Sequence, residues 1–238
     1  MHGLPETPAE ALGPTIREEV LVEGRTFLLT RPDAVDRLVD HPELGGASAA
    51  EEYMPFWAHL WPAARMLAAA ILCEPWPRVA AGQPLEAVEV GCGLGLAGLA
   101  ALARGLHVTF SDYDATALRF AADNARLNGF SDFRVLQMDY RQPPAGLQTP
   151  VLLASDPIYE IHMAPPLARL IRQVLAPGGT CLVAERNRPQ GQALQEALRA
   201  QGLTFTLEAM RTELPDGQKA EGTLYRITHG SVSGGGLS

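Results

Sequence analysis

The sequence holds only three cysteines, Cys73, Cys92 and Cys181, an odd number set far apart in 238 residues. That excludes a disulfide framework and a zinc site built on paired cysteines, and it suits a reducing compartment. Basic residues are outnumbered, 19 Lys and Arg against 27 Asp and Glu, for a formal charge of −8. Loose, charge-driven binding to nucleic acid or to an anionic membrane surface is not expected of such a chain. No apolar run approaches the ~20 residues that a membrane-spanning helix needs. The first ten residues, MHGLPETPAE, lack the basic-then-apolar order of a signal peptide. The expectation is a cytoplasmic protein. No spacing among the six histidines points to a metal, and neither a G-x-S-x-G nor a Cys-His arrangement points to a covalent hydrolase.

What is present is ordinary globular composition, 47% hydrophobic and 19% charged. Residues 1–55 read as an N-terminal extension or cap, 56–228 as the main domain and 229–238 as a disordered tail. Within the cap, 19–22 and 26–30 are short strand candidates around Glu23-Gly24, a hairpin signal. Pro32 then opens a helix with Val35, Leu38 and Val39 on one face. The aromatic cluster YMPFWAHLWPA leads into a helix over 61–72, where Leu60, Ala64, Leu67 and Ile71 recur at helical spacing.

From Leu85 onward, strand and helix alternate. Strands are expected at 85–90, 107–111, 133–136, 151–155, 180–184, 203–207 and 223–227. Helices are expected at 96–104, 114–127 (stopping at Asn128-Gly129), 163–174 and 192–201. Leu118, Ala121, Ala122 and Ala125 form the buried face of the second, and Asp114 is its N-cap. The fold class is therefore α/β: a doubly wound, mostly parallel seven-stranded sheet with an antiparallel last strand and a small N-terminal cap. In such sheets the ligand sits at the carboxyl ends of the strands, where the strand order reverses.

The first strand runs into Glu89-Val90-Gly91-Cys92-Gly93-Leu94-Gly95-Leu96-Ala97-Gly98. Three glycines on alternate positions let backbone approach a ligand where a β-carbon would collide. Read from Gly93 the loop also fits G-x-G-x-x-G. That reading leaves Glu89 facing a pyrophosphate, although a carboxylate is a better neighbour for a cation. The second strand ends in Ser111-Asp112-Tyr113-Asp114, and an acid there holds ribose hydroxyls. The third ends in Gln137-Met138-Asp139-Tyr140, an apolar side chain and an acid suited to adenine. The ligand implied has an adenosine and a cationic end, which S-adenosylmethionine matches.

V-E-V-G-C-G-x-G followed by an acid after the second strand resembles the class I, Rossmann-like S-adenosylmethionine-dependent methyltransferases. N-A-x-L-N-G at 124–129 and L-A-P-G-G at 175–179 look like later signposts of the same family. The resemblance implies that Gly91, Gly93 and Gly95 pass under the methionine part with Glu89 nearby. It implies that Asp112 holds the ribose, and Met138 with Asp139 the adenine. No metal is implied.

The fourth strand leads into Ser155-Asp156-Pro157-Ile158-Tyr159-Glu160. D-P-x-Y resembles the D-P-P-Y of methyltransferases acting on adenine, cytosine or glutamine, and the D-x-x-Y of seven-strand protein-lysine methyltransferases. Ile158 stands where the former carry a second proline. P-F-W-A-H-L-W-P-A at 55–63 looks like the P-Y-W-A-x-x-W-P of the lysine group, particularly the branch modifying the electron-transfer flavoprotein β subunit. The resemblance implies a protein-lysine N-methyltransferase in which Asp156 orients the amine, directly or through its carbonyl. Tyr159 lines the amine pocket, and Trp61 forms an aromatic wall beside the sulfonium. Trp57 reads as core. His162 is a proton acceptor or a helix start, and His107 lies remote at the start of a strand. A small-molecule amine is the alternative acceptor, and a nucleobase or glutamine amide a more distant one. A non-catalytic adenosine-ligand sensor and a dinucleotide oxidoreductase are the readings from other classes.

Overall fold

The computed structural model describes residues 13–34, 55–77 and 83–230. Two antiparallel strands come first, β1 (Thr15–Val22) and β2 (Arg25–Pro32). They turn at Glu23 and Gly24, whose φ values of 47° and 73° are the left-handed geometry of a tight hairpin. Pro32, expected to open a helix, instead ends β2 opposite Thr15, and Val35, Leu38 and Val39 lie outside the described residues. A single 3-10 turn, Phe56–Ala58, precedes α1 (Pro62–Cys73), with Pro62 in the first turn. Alternation then runs β3 (Glu86–Val90), α2 (Leu96–Ala103), β4 (His107–Asp112), α3 (Ala115–Leu127), β5 (Arg134–Gln137) and β6 (Thr149–Ser155). It continues with α4 (Ala164–Val174), β7 (Leu175–Arg186), α5 (Gln190–Ala200), β8 (Leu203–Glu213) and β9 (Lys219–His229).

Seven strands form one sheet in the order β5-β4-β3-β6-β7-β9-β8. Neighbours from β5 to β7 are parallel, and only β9 runs against its partners β7 and β8. The doubly wound sheet expected from the sequence is therefore present. Its central strands are buried on both faces, which is why they read as apolar runs: Val88, Val90, Val108, Phe110, Leu152 and Leu153 are all buried. One core, under α1, α2 and α3, contains Leu67, Ile71, Leu99 and Leu118, and the other, under α4 and α5, contains Leu167, Ile171, Leu194 and Leu198.

Several strands exceed their expected lengths, β7 by taking in the L-A-P-G-G run and β8 and β9 by extending at their shared turn. The β8–β9 ladder continues from Glu208↔Leu224 out to Glu213↔Lys219. Most of these residues face solvent, so no apolar alternation marked them. Their ladder also overhangs β7, which pairs with β9 only as far as Arg186↔Gly222. The arm therefore projects past the carboxyl edge of the sheet.

Helix α3 carries the hairpin. Asp114 caps it as expected, its Oδ1 accepting from Thr116 N at 2.7 Å. The fully buried Asn124 accepts from Thr30 N (2.7 Å) and donates to Thr30 O (3.2 Å) and Leu94 O (3.0 Å). One turn on, Asn128 accepts from Leu28 N (2.9 Å) and donates to Leu28 O (2.7 Å). Thus the two asparagines of N-A-x-L-N-G act as substitute strand partners for β2, and Asn124 also ties in the glycine loop. Asn124→Ala is expected to cost about 2–4 kcal/mol, because Thr30 N–H, Thr30 O and Leu94 O each lose a partner that a methyl group cannot replace. Urea unfolding measures this; a midpoint like that of the wild type would show that the Asn124 bonds do not hold the hairpin.

Candidate active site

The strand order reverses beside β3, whose neighbours are β4 and β6. At the carboxyl edge the turns after these strands stand side by side. After β3 the chain makes three left-handed glycines, Gly91, Gly93 and Gly95. A β-carbon on Gly91 would meet nothing within 4 Å, whereas one on Gly98 would lie 2.3 Å from the Phe110 ring and 2.5 Å from the Glu89 carboxylate. Gly91 therefore leaves room beside the loop, and Gly98 exists to let α2 sit on the sheet. Gly93 and Gly95 resemble Gly98 in this, since a β-carbon would lie 3.1 Å from Trp57 O on the former and 3.0 Å from the Ala121 Cβ on the latter. The three glycines of the apparent G-x-G-x-x-G are tight against the protein itself, and only Gly91, outside that run, leaves space.

Glu89 lies beneath the loop. It is 1% exposed, and its Oε2 accepts from Gly98 N at 2.9 Å. Burial pushes its carboxyl up to about 8, against the pull of that amide. Asp112, at the end of β4, accepts from Gly93 N (3.1 Å) through Oδ2 and from Asp114 N (3.0 Å) through Oδ1. Each oxygen keeps a lone pair for a further donor. Burial raises its carboxyl to about 6, with the two amides opposing. After β5, Met138 is buried in the core and its N–H donates to Asp112 O (2.9 Å). Asp139 is ion-paired to Arg141 at 2.8 Å, which holds its carboxyl below the usual range despite partial burial.

The turn after β6 is the most constrained part of the edge. Asp156 has φ +49°, uncommon for a residue with a β-carbon, and its N–H donates to Ala184 O at 2.7 Å. Its carboxylate, 2% exposed, is held by two cations: Arg186 Nε at 3.2 Å, and Arg188 Nη2. The next three carbonyls each take a side chain. Pro157 O accepts from Tyr140 O–H (3.3 Å), Ile158 O from Arg188 (3.2 Å) and Tyr159 O from Gln190 (3.0 Å). Tyr159 stacks on Phe56, with centroids 4.5 Å apart, and burial pushes its phenol well up. Trp61 caps α1 and donates its indole N–H to Phe56 O at 2.8 Å.

The structure thus brings the loop glycines, Asp112, Asp156, Tyr159 and Trp61 to one edge. Two expected arrangements are modified. The Trp61 face, expected to lie open beside a cation, carries the protein's own Arg186, with Cζ 5.0 Å from the ring centroid. The Asp156 carboxylate, expected to meet an amine, is engaged by Arg186 and Arg188. Trp57 packs in the core against Phe120, as read, and His162 is exposed and paired with Glu160. His107 sits at the opposite edge between Glu86 and Asp132. Sequence reasoning missed Arg186, Arg188, Gln190 and Phe56. The run E-R-N-R-P-Q at a strand end was the available signal, but nothing in it names the carboxylate it meets. Among the described residues no group of His, Cys, Asp and Glu is placed to hold a metal, and no helix is long and apolar enough to cross a membrane.

The described fold is shared with solved methyltransferases. The ribosomal protein L11 methylase of Lactobacillus delbrueckii subsp. bulgaricus aligns over 70% of this chain and 79% of that one, with 18% identity and TM-score 0.54. TrmN from Thermus thermophilus aligns over 68% of this chain and 48% of that one, with 23% identity and TM-score 0.53. The fold is thus that of the Rossmann-like methyltransferase class. A family profile described as lysine methyltransferase matches residues 51–197, and the chain belongs to that family. Among curated proteins it is similar to the ribosomal protein L11 methyltransferase of Hahella chejuensis, 33% identical over 132 residues, 54% of this chain and 42% of that one. The Marinobacter nauticus protein of the same name is 39% identical over 99 residues, 40% and 30% of the two chains. The chain spans less than half the length of these relatives.

Proposed function

We propose that this enzyme transfers a methyl group to the side-chain amine of a protein lysine, with S-adenosyl-L-methionine as donor and S-adenosyl-L-homocysteine as product. The observation that carries the reading is the pairing of the Asp156 carboxylate with the Trp61 ring around a cation, at the strand reversal beside the glycine loop. An acid and an aromatic face together suit an amine better than a nucleobase. The family match supports the same acceptor, and the relatives are named for a protein substrate. The W-A-x-x-W-P and D-x-x-Y pair is similar to the branch that modifies the electron-transfer flavoprotein β subunit, so a folded protein is the acceptor to test first.

The donor fits the residues present: room beside Gly91, and lone pairs on Asp112 for ribose hydroxyls. When bound it supplies a methyl group activated on a sulfonium. The chain's residues do the remainder. Gly91 lets backbone lie against the methionine part while Gly93 and Gly95 let the loop pack on Trp57, Ala121 and Phe110, Asp112 accepts from the ribose, and Met138 and Asp139 border the adenine. Glu89 supports the loop from beneath through Gly98. Asp156 orients the amine, and Tyr159, fixed on Phe56, walls it from water; catalysis rests on positioning and desolvation.

Labelled methyl transfer into a lysate of a strain lacking the protein tests this. Label is expected in a discrete protease-sensitive, nuclease-resistant band, with mass spectrometry locating methyl-lysine. Label confined to small molecules would overturn the protein acceptor in favour of a metabolite amine. The chain contains one lysine, Lys219, so self-labelling on lysine is confined to a single site and easily recognised.

A further inference from the structure

The Asp156–Trp61 subsite is filled by a side chain of the enzyme. Arg186 Nε donates to Asp156 Oδ2 at 3.2 Å, and its Cζ lies 5.0 Å from the Trp61 centroid. The two arginines on Asp156 differ in attachment. Arg188 is tied to both the carboxylate and Ile158 O, and so holds the turn itself. Arg186 has the carboxylate and the ring only, and its side chain is 34% exposed. It can swing to solvent without unpinning the turn.

Resting on the lysine reading above, we propose that Arg186 is an internal stand-in for the acceptor: it occupies the acceptor-nitrogen subsite, and a substrate lysine enters by displacing it. A lysine side chain at position 186 in the same rotamers would place Nζ where the arginine Cζ now sits, since the two are equally many bonds from the backbone. The residue must therefore be a cation that the enzyme does not itself methylate. Both cations on Asp156 are arginine, in a chain with a single lysine elsewhere.

Arg186→Lys then converts the stand-in into a substrate. The neutral amine at 186 donates its lone pair to the methyl carbon, and the carbon–sulfur bond breaks with its electron pair going to sulfur. The nitrogen's surplus proton leaves to solvent, giving S-adenosylhomocysteine and one methyl on residue 186. In a Lys219→Arg background residue 186 is the sole lysine, so intact mass and peptide mapping read the result without a known acceptor. A methyl on residue 186 is expected. Wild type and Arg186→Lys are also assayed for methyl-lysine in proteins of a lysate from a strain lacking the protein. An unmodified Arg186→Lys that still methylates lysine in these proteins overturns the stand-in. An unmodified variant together with an inactive wild type overturns the lysine reading, and the stand-in with it.

A binding measurement keeps the inference testable apart from turnover. In Arg186→Gln the subsite lacks its cation, and n-butylammonium, a lysine side-chain surrogate, is expected to change tryptophan fluorescence through Trp61. The wild type should show at least about tenfold weaker binding, because displacement competes. Equal response in folded wild type and variant overturns the stand-in.

Discussion

Asp112→Ala is expected to weaken S-adenosylmethionine binding by about 10²–10³-fold, roughly the loss of two charge-assisted hydrogen bonds. The carboxylate acts twice. Its Oδ2 fixes Gly93 N and its Oδ1 fixes Asp114 N, so the loop and the start of α3 share one anchor. The remaining lone pairs face the edge where a ribose would lie. Because burial raises its carboxyl to about 6, affinity in the wild type should rise with pH through that value and then level off. Asp112→Asn should bind weakly at all pH values between 5 and 8, since its amide has no proton to lose. Calorimetric titration with S-adenosylhomocysteine reads both effects. A folded alanine variant that binds as tightly as wild type would remove Asp112 from the ribose site.

Stability should fall with rising pH through Glu89. Its carboxyl is raised to about 8 in the fold, while an unfolded chain releases the proton near 4.5. Between these values the folded state holds a proton that the unfolded state has lost. The stabilisation is thus complete below the lower value and disappears as pH approaches the upper one, at about 1.4 kcal/mol per pH unit. Asp112 contributes the same sign only up to about 6, so the interval from 6 to 8 isolates Glu89. A loss of about 2–3 kcal/mol is expected there for wild type. Glu89→Gln keeps an acceptor for Gly98 N and has nothing to ionise, so its urea midpoint should stay level across the interval. An equal decline in both proteins would place the charge elsewhere.

The two predictions rest on positions of different legibility. Asp112 announced itself, because an acid directly after the second strand is local to a strand end and its direction follows from strand alternation. Glu89 was equally visible, but its partner was not. The Gly98 amide is nine residues away and meets Glu89 only because α2 lies flat on β3. The same contrast holds for the fold. Strands buried on both faces wrote continuous apolar runs into the sequence, and Asn128-Gly129 marked a helix end. The outer half of the β8–β9 arm left no such mark, because solvent imposes no pattern on it.

The sequence by itself determined the doubly wound sheet, the glycine loop, Asp112 and the D-P-I-Y turn, since each depends on apolar periodicity or on residues adjacent in the chain. Only the tertiary structure decided what closes around Asp156. Arg186 and Arg188 lie thirty and thirty-two residues beyond it, on the neighbouring parallel strand and the turn that follows. Trp61 reaches Arg186 from the start of a helix that precedes the sheet. Ion pairs and ring contacts across such separations are set by strand order and helix packing, which local pattern does not encode. That is the physical reason the turn could be read as an acceptor site while the cation already lying in it could not.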